Sequence, residues 1–103
     1  MTPGGHPAGT DPDGRYIVVR GRRWRAADPE LPEDVRAELQ RHLGTARAEV
    51  GAGRRTGDDD RVRTARTRVN AAKHGLGERG TPWWDLDLGD RRERWERALH
   101  ELS

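Results

Sequence analysis

Two stretches of the chain carry apolar residues on matched helical stripes, and this matching constrains the fold more than any other feature. Val35, Leu39, Leu43, Ala46 and Val50 recur at intervals of three or four, as do Val62, Ala65, Val69, Ala72 and Leu76. Laid antiparallel, the stripes pair Val50 with Val62, Ala46 with Ala65, Leu43 with Val69, Leu39 with Ala72 and Val35 with Leu76, all in one register. A constant register along a whole seam predicts an αα-hairpin. The same register would bring Glu49 near Arg63 and Glu38 near Lys73.

Local signals bound the helices. Pro32 suits a first helical position, with Glu33 and Asp34 favourable in the first turn. Gly51, Gly53 and Gly57 suggest a stop, which gives a first helix over 32–52. Asp58, Asp59 and Asp60 offer an N-cap and an acidic first turn, and Gly75 and Gly77 an end, so the second helix is expected over 58–75. A third, over 90–102, is capped in this reading by Asp90 and carries Trp95, Ala98, Leu99 and Leu102 on one stripe.

Ahead of the helices, residues 15–25 read as a β-hairpin. Tyr16 to Val19 is the longest apolar run, and Arg20-Gly21 separates it from the short run Arg22 to Arg25. Pairing across that turn puts Ile17, Val19 and Trp24 on one face and Tyr16, Val18, Arg23 and Arg25 on the other. A two-stranded ribbon is marginal alone, so the Ile17/Trp24 face is expected to pack inward and Tyr16, Arg23 and Arg25 to face outward. Residues 1–14, rich in Pro and Gly, read as a disordered tail, leaving 15–103 as a single small domain. The fold class expected is mostly α with a small β-hairpin: an N-terminal two-stranded hairpin packed on an antiparallel αα-hairpin, plus a C-terminal helix.

Composition enters through the core. Leu, Ile and Val together number fifteen and Phe is absent, so Trp24, Trp83, Trp84 and Trp95 are expected to supply much of the buried surface. After Pro82, Trp83 and Trp84 stand in an extended segment where adjacent side chains point opposite ways, one buried and one exposed.

The two motifs that flank the helical pair also carry a resemblance. Tyr16 to Pro29, with Gly21, Arg22, Arg23, Trp24, Arg25 and Asp28, followed by Leu76 to Trp84, with Gly77, Glu78, Arg79, Gly80 and Pro82, resembles a family of small actinobacterial proteins often labelled "biopolymer transporter Tol". The resemblance covers about residues 13–85 and implies the same order of elements. It brings no catalytic residue to this chain. The transporter label meets no run of about twenty apolar residues, the length a membrane-spanning helix needs.

Charge narrows the function classes. Net charge is only +2, yet residues 15–25 hold Arg15, Arg20, Arg22, Arg23 and Arg25 without an acid, and 28–34 hold four acids without a base. All the basic residues are arginine except Lys73. Cysteine is absent, and His6, His42, His74 and His100 lack metal-ligand spacing. The acids at 58–60 lack the spacing of a calcium loop. No catalytic, metal or cofactor site is therefore expected, and the reading is a non-enzymatic, cytoplasmic, membrane-free interaction module. Its candidate partner-binding residues are Tyr16, Arg20, Arg22, Arg23, Arg25, Trp83 and Trp84. A protein partner is favoured; the alternative is nucleic acid, with guanidinium groups on phosphates and an aromatic ring on a base.

Overall fold

The computed structural model describes residues 8–10 and 14–103. In chain order the elements are β1 (Ala8–Thr10), β2 (Tyr16–Val19), β3 (Arg22–Arg25), α1 (Glu33–Thr56), α2 (Asp59–Leu76), a 3-10 turn (Trp83–Asp85) and α3 (Leu88–Leu102). The fold is mostly helical, with α1 and α2 packed as an antiparallel pair, as their stripes require.

Several particulars fix the register. At the connecting turn, Glu49 on α1 meets Arg61 on α2 at 2.9 Å. At the far end Leu39 lies against Gly75, where a Cβ would stand 3.0 Å from the leucine methyl. The pairing of Glu49 is thus with Arg61, not Arg63, which turns instead to Asp60 one helical turn back at 2.9 Å. The expected Glu38–Lys73 contact does not form either. Glu38 faces His42 on its own helix, and Lys73 faces Glu78.

Helix α1 runs through Gly51 and Gly53 and ends at Gly57, whose φ of 69° is the left-handed C-cap. The glycine at 53 is a packing residue. A Cβ there would lie 2.8 Å from Val62 Cγ2 and 3.2 Å from the Val62 amide nitrogen, so its absence lets the start of α2 close on α1. Asp58 caps α2, accepting from the Arg61 amide at 3.0 Å. The third helix begins earlier than expected because Asp87, not Asp90, is its cap: the Asp90 amide donates to Asp87 Oδ1 at 2.8 Å.

The core is a single aliphatic cluster in which Leu39, Leu43, Ala72 and Leu76 from the helical pair meet Ala98 and Leu102 from α3, with Leu31 and Val35 closing one end. Trp95 and Leu99 pack on its margin. This corrects the expectation of a core built largely of tryptophan. Trp83 is buried outside that cluster, and Trp24 is among the exposed large apolar residues, at 39 %.

The hairpin has the expected register, Val19 opposite Arg22 and Ile17 opposite Trp24. Its two-residue turn puts both Arg20 (φ 53°) and Gly21 (φ 77°) in the left-handed region. The sheet has a third strand, however. Ala8, Gly9 and Thr10 pair antiparallel with Val19, Val18 and Ile17. The reading of 1–14 as a disordered tail is corrected at these residues, because an open strand edge recruits backbone through its N–H and C=O groups whatever the side chains. For 1–7 and 11–13 that reading lies outside the described residues. Among the described residues no helix is long and apolar enough to cross a membrane.

Candidate functional site

The sheet meets the helical body through both of its faces, and the two contacts differ in chemistry. On the face carrying Tyr16 and Arg25, the 3-10 turn that follows Pro82 brings up the tryptophan pair. Trp84 receives the Tyr16 ring edge-on at a centroid distance of 5.5 Å, and the Arg15 and Arg25 guanidiniums lie 4.9 and 5.8 Å from its ring centre. Arg25 also donates through an Nη atom to the Gly80 carbonyl at 2.7 Å. Arg23 lies 4.0 Å over the Tyr16 ring. The face expected to look outward is therefore largely occupied by this chain's own turn, and of Tyr16, Arg23 and Arg25 only Arg23 is exposed.

Trp83 and Trp84 do not split into one buried and one exposed residue. The turn is 3-10, not extended, which sets the rings 86° apart with centroids 5.0 Å from each other. Trp83 is buried, its indole N–H donating to the Ala26 carbonyl at 3.0 Å. Trp84 is half-buried. Both serve to lock the ribbon to the body. Asp28 joins the same junction: its amide donates to the Leu76 carbonyl at 2.9 Å, and its carboxylate accepts from Arg91 at 3.3 Å. Gly77, at φ 87°, lets Trp83 and Asp28 close on the end of α2.

The other face of the sheet, expected to pack inward, instead walls a groove. Ile17, Val19 and Trp24 form its apolar side, and Arg47 from α1, Lys73 from α2 and Glu78 from the loop beyond face them across a volume of about 420 Å³. The physical reason is supply. The aliphatic residues of the helices are used in their own seam and against α3, so the ribbon finds charged side chains opposite it. Arg22 lies 4.3 Å and the Lys73 ammonium 5.3 Å from the Trp24 ring centre, distances at which a cation is held by the ring quadrupole.

Electrostatics in the groove are one-sided. Lys73 is almost buried and reaches Glu78 only at 3.8 Å. Burial pulls its pKa below the usual lysine value; Glu78 opposes that shift, while Arg79 and Arg47 add to it. On the junction side, Arg25 Nε is buried with no hydrogen-bond partner among the described residues. Arg20, at the turn, is exposed.

Comparison with protein-family models, with curated proteins and with solved structures finds no match to this chain. The site is accordingly read from its own geometry. Of the sequence-derived candidates, Tyr16, Arg25, Trp83 and Trp84 come together as an internal junction, and Arg22 stands beside the groove over Trp24. Arg47, Lys73 and Glu78 were not among the candidates. One signal pointed to Lys73, which is the single lysine in a chain that otherwise uses arginine for every basic residue.

Proposed function

We propose that this protein is a non-enzymatic interaction module that engages a protein partner through the groove between its arginine-bearing ribbon and its helical hairpin. The observation that carries this reading is Trp24, a large aromatic left 39 % exposed beside Ile17 and Val19 and ringed by cations. Tryptophan and arginine are the residues most enriched at binding hot spots, where a partly preformed pocket is completed by the partner. Burying the rest of such a ring adds apolar contact at small entropic cost, because an indole has only two side-chain torsions and this one is already held by Arg22 and Lys73.

The junction on the opposite face supports the reading by making the ribbon a fixed platform. Trp83, Trp84 and Arg25 tie it to the 3-10 turn, so the groove keeps its shape before a partner arrives. The test is affinity capture by the tagged full chain from lysate of the source cells, with and without nuclease. A specific protein retained after nuclease treatment is the expected result. Capture that disappears with nuclease would assign the ribbon to nucleic acid instead, and its retention would then weaken steeply with salt.

A further inference from the structure

The partner's chemistry can be read from what the groove lacks. Arg22, Arg25, Arg47 and Lys73 border it, and among the described residues Glu78 is the one acid that lines it. That acid is shared with a lysine at 3.8 Å, so the remaining positive charge has no counterpart within the site. Arg47 is exposed and has no hydrogen-bond or ion-pair partner among the described residues. A largely buried ammonium and an unpartnered guanidinium facing one apolar wall describe a site for an anion attached to an apolar group.

On the strength of the function proposed above, we infer that the groove takes an acidic, apolar-flanked peptide segment of the partner, with a carboxylate between Lys73 and Arg47 and a neighbouring aliphatic side chain against Trp24, Ile17 and Val19. A carboxylate accepts from both cations at once, and charge-assisted bonds of this kind are about twice as strong as neutral ones. A nucleotide fits less well. Arg22 and Lys73 already lie over the Trp24 ring, so a base could stack face-on only by displacing a cation, whereas an aliphatic side chain can lie along the ring edge. A second copy of the ribbon fits worse still, since it would bring arginine to arginine.

The experiment is a titration of the isotope-labelled full chain, followed by NMR, with the capped peptide Leu-Glu-Leu-Asp-Leu, its neutral counterpart Leu-Gln-Leu-Asn-Leu, benzoate and a short oligothymidylate. The acidic peptide is expected to shift the Trp24 indole and the Val19 and Lys73 amides, and the neutral counterpart to bind about tenfold more weakly or worse. Arg47→Ala, at an exposed position where folding is not at stake, is expected to weaken the acidic peptide by a similar factor. Binding should also raise the pKa of Lys73 back toward the ordinary lysine range, a change that mere proximity of a peptide would not produce. Equal binding of the two peptides, indifference to Arg47→Ala, or no shift at millimolar peptide overturns the inference. Benzoate binding as tightly as the peptide overturns the peptide assignment in favour of a free small carboxylate, and preferential binding of the oligonucleotide overturns it in favour of phosphate. These failures are separable from failure of the interaction-module reading, since charge-independent peptide binding at Trp24 would leave that reading standing.

Discussion

Asp28 and Arg91 form an ion pair at 3.3 Å with side-chain exposures of only 4 % and 15 %, and this pair fastens the segment after the ribbon to the last helix. The aspartate is further engaged by the Glu30 amide at 2.9 Å, and the arginine by the Leu86 carbonyl at 3.0 Å. Arg91 also lies 5.3 Å from the centre of the Trp83 ring. Removing the acid leaves a largely buried guanidinium that keeps the Leu86 carbonyl and the Trp83 ring but loses this counter-charge. Asp28→Ala is expected to cost about 3–5 kcal/mol in urea unfolding, and the double change Asp28→Ala with Arg91→Met to recover a large part of that loss. Recovery would mean that charge burial, not the individual hydrogen bonds, dominates the penalty.

The glycines of the helices separate by what surrounds them. At Gly75 a Cβ would stand 2.6 Å from the Ala98 Cβ and about 3 Å from both Leu39 methyls, so Gly75→Ala is expected to push α3 off the helical pair and destabilise by roughly 1–3 kcal/mol. Gly44 has nothing within 4 Å of the same position. There the substitution should stabilise by up to about 1 kcal/mol through helix propensity. Thermal or urea denaturation of the two variants reads opposite signs for the same chemical change.

Arg20 is the one described residue other than glycine with a positive φ, at 53°. Asparagine tolerates that region far better than arginine and is preferred at the first position of such turns. Arg20→Asn is expected to stabilise the ribbon by roughly 0.5–1 kcal/mol and to slow amide exchange at Val19 and Arg22.

Lys73 predicts a specific pH dependence. Burial lowers its folded-state pKa, so between that value and the ordinary lysine value near 10.4 the unfolded chain binds more protons than the folded one. Stability contributed by this group therefore rises with pH through that window and is complete above it. Measured against Lys73→Met, the parent protein should gain stability as pH rises toward about 10.5, and the variant should lack that slope. The exposed pair Glu49–Arg61 acts in the opposite window. Arg61 holds the Glu49 carboxyl below its ordinary value, so its small, salt-screened contribution is lost as pH falls through that lowered value.

Much of the fold was legible because helical periodicity reports burial directly. The stripes through Leu39, Leu43, Ala72 and Leu76 became the core, and Arg20-Gly21 became the turn it suggested. Helix ends were harder, because Gly53 reads as a stop signal when it is in fact a point of close approach to Val62. The site was the least legible part. Alternation along the ribbon assigned side chains to two faces correctly, but which face meets apolar surface depends on what the helices have left over. Trp84, 68 residues beyond Tyr16 in the chain, covers the Tyr16 face, and charged residues from two helices stand opposite Trp24. No local pattern encodes that arrangement.

If Trp24 anchors a protein partner, its removal alone must abolish capture of that partner. Trp24→Ala is compared with Leu88→Ala, which removes the other large apolar side chain exposed among the described residues, at 62 % exposure, on α3. Both variants should fold, as judged by helical circular dichroism. A protein retained by the parent chain after nuclease treatment is expected to be lost with Trp24→Ala and kept with Leu88→Ala. Retention unchanged by Trp24→Ala would contradict that role for Trp24.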